Sequence, residues 1–138
     1  MITYSVTGRT PSILPVAVFR RLARACRIVH RLSRKKIIGV RFVTPREIQR
    51  LNRLYRGKDC PTDVLSFEAG SGSELGDLVI CTQVAVREAK RRKIDPAEEL
   101  VRLLAHGTLH LAGMDHATER DERRIFKMQE AIIEKVLS

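Results

Sequence analysis

Acidic residues are nearly missing from the first 58 positions of this 138-residue chain, where Glu47 stands alone among fifteen lysines and arginines. Tryptophan is absent, and the other aromatics are Tyr4, Phe19, Phe42, Tyr55, Phe67 and Phe126. Six so dispersed do not suggest a base-stacking platform. The three cysteines, Cys26, Cys60 and Cys81, are odd in number and form no Cys-x-x-Cys. No disulfide framework is expected, and a reducing cytoplasm is the natural compartment. No apolar run approaches the ~20 residues of a membrane span. The opening Met1-Ile-Thr-Tyr-Ser-Val lacks the basic-then-apolar layout of a secretory signal. One domain over residues 1–138, with a single core, is the expectation.

What the chain does have is charge and histidine, each concentrated. Residues 1–58 carry a balance of +14 and residues 59–138 a balance of −4, for a net charge of +10. Arg20, Arg24, Arg27 and Arg31 recur at helical spacing with no acid to pair with, which suggests a phosphate-backbone footprint. A soluble surface on an arginine-rich protein is the bland alternative, and an anionic membrane surface a weaker third. Three of the four histidines fall in His106-Gly-Thr-Leu-His110-Leu-Ala-Gly113-Met-Asp115-His116. Residues four apart on a helix share a face, about 6 Å apart along the axis. Gly113 can take the positive φ that ends a helix, so the chain can reverse and bring His116 to the same point. Three converging imidazoles without a fourth protein ligand describe a catalytic zinc-type site with an open coordination position.

The spacing matches that of the metzincin proteases, but Gly107 stands where they carry the glutamate that serves as general base. Peptide hydrolysis is therefore disfavoured. Asp115 could orient an imidazole or receive a proton from water, and the residues leave both roles open.

Hydrophobic periodicity predicts strands over Ile2–Val6, Ile37–Val43, Val64–Phe67 and Leu75–Cys81. Helices are predicted from Pro15 to about Val29, from Pro45 to about Leu54, over Gln83–Lys93, from Pro96 to about Ala112, and after Thr118. Thr44-Pro45-Arg46-Glu47 and Asp95-Pro96-Ala97-Glu98 read as capping boxes. The inner face of the last helix is assigned to Ile125, Met128, Ile132 and Val136. The sum is an α+β domain: one roughly four-stranded mixed sheet packed with about five helices.

Between the second helix and third strand, Arg56 beside Gly57 could clamp phosphate through its guanidinium fork, or be an ordinary surface arginine. Thr62, Asp63 and Ser66 suggest turn hydrogen bonds. Asp77, in an apolar strand, should be partly buried and need a partner. His30 is expected to be exposed.

The run His106-Gly-x-Leu-His110-Leu-x-Gly113-x-Asp115-His116 resembles the signature of the YbeY family of bacterial rRNA-maturation endoribonucleases. Tyr55-Arg56-Gly57-Lys58-Asp59-x-x-Thr62-Asp63-Val64-Leu65-Ser66-Phe67 and Leu75-Gly76-Asp77-Leu78 match it too. The resemblance implies a metal-dependent endoribonuclease specific for single strands, acting in small-subunit (16S) rRNA 3′-end maturation and ribosome quality control. It implies His106, His110 and His116 as ligands of one Zn2+, Arg56 as a functional arginine, and RNA and the small ribosomal subunit as partners, with no membrane and no small-molecule cofactor. Lys58 joins the four arginines as a candidate RNA contact, and Asp115 joins Arg56 and the histidines as a candidate catalytic group. Glu68, where many members have proline, and Met114, in place of an aromatic, are departures that bear on groove shape. Two rivals stand beside this reading: an RNA-binding ribosome-assembly factor whose structural metal is completed by Cys60 or Cys81, and a metal hydrolase of a non-RNA substrate.

Overall fold

Alternation of period two separates the strands' faces. In β1 (Ile2–Gly8) the burial falls on Ile2, Tyr4 and Val6, while Thr3, Ser5 and Thr7 are exposed. In β2 (Lys36–Phe42) it falls on Ile38, Val40 and Phe42. β3 (Val64–Glu68) and β4 (Glu74–Ile80) complete one sheet in the order β1-β2-β4-β3, with β1, β2 and β4 parallel and β3 antiparallel to β4. The computed structural model describes residues 1–70, 72–114 and 117–138, so Asp115 and His116 lie outside the described residues.

The main core fills one face of the sheet. It is made with α1 (Val16–Ala25), α4 (Pro96–Leu111) and α5 (Glu119–Leu137), and α3 (Thr82–Arg91) adds Ala85. On the other face α2 (Pro45–Arg56) covers only the β3–β4 side, through a smaller cluster of Ile48, Leu65, Val79 and Cys81. The α+β architecture, its four mixed strands and five helices agree with the expectation from periodicity. No helix among the described residues is long and apolar enough to cross a membrane.

Local chemistry sets the helix ends. Thr44 Oγ1 accepts from Glu47 N–H (3.2 Å), the N-cap half of the predicted box, and its hydroxyl donates to Glu47 Oε1 (3.2 Å), with Pro45 at the first position. Asp95 caps α4 differently from the expected box, accepting from Ala97 N–H at 3.0 Å. Thr118 accepts from Asp121 N–H (3.1 Å) to open α5.

Three expectations are corrected. The first helix stops at Ala25 rather than near Val29, and two 3-10 turns follow, Cys26–Ile28 and His30–Leu32. Buried Cys26, Val29 and Leu32 lie three apart, a spacing that suits tight turns of three residues better than a continued α-helix. The arginines therefore do not form one helical stripe: Arg20 and Arg24 stay on α1, while Arg27 and Arg31 sit in the turns. Next, Asp77 is exposed on the uncovered face of the sheet rather than partly buried, because its side of β4 lies beyond the cover of α2. Finally, Gln129 is buried on α5 where Met128 was expected, Met128 being only partly covered.

Candidate metal-binding groove

Helix α4 positions the first two histidines. Leu100, Leu104, Ala105, Thr108 and Leu109 bury one side of it, leaving His106 and His110 exposed on the other. Thr108, between them in sequence, is fully buried and shares a 2.7 Å hydrogen bond with the Tyr4 hydroxyl, tying the helix to β1. Burial holds the Tyr4 phenol well above its usual range, reinforced by the Cys26 thiol beside it, and pushes that thiol up to about 11. Both groups stay neutral beneath the helix.

Gly107 explains why the protease base is missing. A Cβ there would lie 2.6 Å from Leu78 Cδ2, a fully buried side chain of β4. The helix approaches the sheet so closely at this point that position 107 faces the core, not the groove.

The end of α4 closes as the glycine spacing predicts. Gly113 has φ +86°, its N–H donates to His110 O (3.0 Å), and Met114 N–H donates to Leu109 O (3.1 Å). This pair of reversed bonds is a Schellman closure. Arg31 adds a third contact, its Nη1 donating to Ala112 O at 3.2 Å. One of the arginines expected to hold RNA thus caps the histidine helix. Where the chain goes next, through Asp115 and His116, lies outside the described residues.

His106 Nδ1 lies 2.8 Å from Gln129 Oε1 on α5. With the amide oxygen as acceptor, Nδ1–H is the donor of this bond, which is the tautomer in which Nε2 is the ligating nitrogen. Such an outer partner fixes tautomer and ring direction in metal-binding histidines. These two imidazoles on one helix face suit zinc, which takes imidazole nitrogen. Among the described residues no group of three potential ligands comes together.

The groove itself, about 640 Å³, is lined by Tyr55, Arg56, Ser66, Glu68, His106 and His110 together with Val64, Leu65 and Phe67 of β3. Arg56 lies in the last turn of α2, which runs two residues past the predicted end and stops at Gly57 (φ +70°). Tyr55 packs edge-on to Phe67 with ring centroids 5.1 Å apart, fixing that turn against β3. Among the described residues Arg56 makes no ion pair, whereas Arg41 and Arg53 pair with Glu47 and Asp59. Ser66, expected in a turn, sits in β3 and faces the groove.

The remaining candidates fall elsewhere. Arg20, Arg24, Arg27 and Lys58 are exposed, and none lines the groove. Cys81 is fully buried in the small cluster under α2. Cys60 is exposed, and its carbonyl accepts from Asn52 Nδ2 at 2.9 Å. Neither thiol belongs to the histidine groove. One residue escaped sequence reasoning: Gln129, the partner of His106, whose signal was an amide within the apolar stripe Ile125-Gln129-Ile132-Val136.

Residues 16–137 match the family model described as Endoribonuclease YbeY. The chain belongs to the YbeY family. It is 41% identical over 138 residues to the endoribonuclease YbeY of Alkalilimnicola ehrlichii, covering 90% of this chain and 82% of that protein. It is 43% identical over 108 residues to that of Staphylococcus aureus, covering 70% of each. In fold it resembles the solution structure of TM1509 from Thermotoga maritima, with a TM-score of 0.73, 27% identity, and coverage of 97% and 89% of the two chains. Membership in the YbeY family spans the first turn of α1 to the last of α5, so it takes in the whole groove.

Proposed function

We propose that this YbeY-family chain is a zinc-dependent endoribonuclease that cuts single-stranded RNA. Its proposed setting is the cytoplasm, where it matures the 3′ end of 16S rRNA on the small ribosomal subunit and removes defective ribosomes. The relatives' shared name supports RNA cleavage. The observation that carries the reading is the meeting of Arg56 with His106 and His110 in one groove, although about fifty residues separate them in sequence.

His106, His110 and His116 would hold the ion. Bound zinc supplies Lewis acidity and a water of lowered pKa. Gln129 keeps the His106 ring aimed, and Tyr4 and Thr108 hold the helix behind it. The Arg56 guanidinium, without an ion pair among the described residues, binds the scissile phosphate in a fork and shares the charge that builds on it in the transition state. The +14 balance of residues 1–58 favours a polyanion as substrate, and binding should weaken steeply with salt. Peptide substrates are disfavoured by the burial of position 107, and a thiolate-completed structural metal by the placement of Cys60 and Cys81.

The test is a cleavage assay on matched single-stranded and duplex RNA, with and without chelator. Cutting of the single strand alone, lost with chelator and restored by zinc, supports the proposal; cutting that survives chelation sinks it. Arg56→Ala should keep zinc and slow cleavage by about a hundredfold. Unchanged turnover in that variant would remove Arg56 from the mechanism.

A further inference from the structure

Beyond the histidine groove lies a second depression, about 810 Å³, on the outer side of α5. His106 borders both, so the two hollows meet at that ring. The second is lined by Glu119, Glu122, Arg123, Phe126 and Lys127, with Ile125 and Gln129 at its base. Phe126 is 60% exposed. Every other aromatic of the chain is placed: Tyr4 packs on Phe19, Tyr55 on Phe67, and Phe42 is in the core. Tyr55 is exposed too, at 67%, but its ring is turned onto Phe67; among the described residues Phe126 is the exposed ring with no aromatic partner.

We infer that this depression is a nucleobase pocket, in which Phe126 stacks the base of a nucleotide adjoining the phosphate held in the histidine groove. The inference rests on the RNA-cleavage reading for its ligand but concerns different residues. The charge pattern favours a base over a phosphate. Glu119 and Glu122 offset Arg123 and Lys127, so the lining carries no net charge, whereas a phosphate site would need an excess of cations. Carboxylates accept from the amino and imino groups of base edges, and cations donate to base carbonyls and ring nitrogens. An exposed aromatic plate among such groups suits an unstacked base, and stacking tolerates any base because each has a π-face. Its size lies within the range of small-ligand pockets, about 300–1,000 Å³.

A specificity follows: a single strand can turn a base outward into this pocket, and a duplex cannot without breaking a pair. The chain has no tryptophan, so Phe126→Trp creates a single indole reporter on a surface position where folding is not at stake. The zinc-loaded variant is titrated with a short 2′-deoxy single strand, checked by gel for integrity, and with the same strand carrying abasic sites. The intact strand should quench the indole and the abasic strand should not. Phe126→Ala should bind the intact strand about tenfold more weakly than wild type and the abasic strand equally. Equal quenching by both strands, or unaltered affinity in Phe126→Ala, overturns the inference. So does an emission change that tracks protein concentration alone, which would make the occupant a second copy of the chain. Base-dependent quenching by a protein that cuts no RNA would leave the pocket standing and remove the nuclease. RNA cutting indifferent to residue 126 would do the reverse.

Discussion

On its inner side α4 carries Leu100, Leu104, Ala105, Thr108 and Leu109, all buried; on its outer side it carries His106 and His110, both exposed. The inner side is bound by packing and by the Tyr4–Thr108 hydrogen bond. The outer side touches α5 through His106–Gln129 and through the Arg102–Glu130 ion pair. The comparison teaches a division of labour. Stability resides where the helix meets the sheet, and that rigidity leaves the outer side to present the two imidazoles proposed as zinc ligands.

The largest effects should come from crossing this division. His110→Ala should weaken zinc binding and cleavage by more than about a hundredfold, since losing even an outer partner of a ligand costs 10–100-fold. Its unfolding free energy without zinc should move by less than about 0.5 kcal/mol, which chemical denaturation would check. Leu104→Ala should do the opposite, lowering stability by about 2–5 kcal/mol while the protein that remains folded keeps its zinc stoichiometry. Gln129→Leu lies between the two sides. It preserves volume but leaves the His106 tautomer unfixed, so zinc affinity should fall about tenfold, measured by competition with a chelating dye; unchanged affinity would make Gln129 a packing residue only. Gly107→Ala should be smallest. Overpacking against Leu78 costs about 1–3 kcal/mol and the gain in helix propensity offsets about 1, for a modest net loss of thermal stability. A stabilised Gly107→Ala would show that α4 can lift from the sheet.

The chain announced some of this arrangement and concealed the rest. Short-range rules were legible: the Thr44 box, Pro45 and Pro96 at helix starts, Gly113 at a helix end, and histidines four apart. Each depends on neighbours within a turn of chain. Tertiary assignments were not. Arg31 looked like part of a phosphate-binding stripe, yet it caps Ala112, eighty-one residues away in sequence. Nothing in local spacing distinguishes an arginine facing water from one facing a carbonyl. Asp77 looked partly buried because its neighbours are apolar, but it lies on the part of that face that α2 leaves exposed. Gln129 broke an apolar stripe, and that break was the one available sign that a polar partner lay opposite. Asp115 and His116 complete the motif in sequence, while their positions lie outside the described residues.

The account turns on zinc sitting at the outer side of α4, and anomalous diffraction from a zinc-loaded crystal reads this directly. The expected result is one strong peak about 2.0–2.1 Å from an imidazole nitrogen of both His106 and His110, with Arg56 facing it across the groove. A peak held instead by Cys60 or Cys81, at the ~2.3 Å of a zinc–sulfur bond, or none near α4, would contradict it.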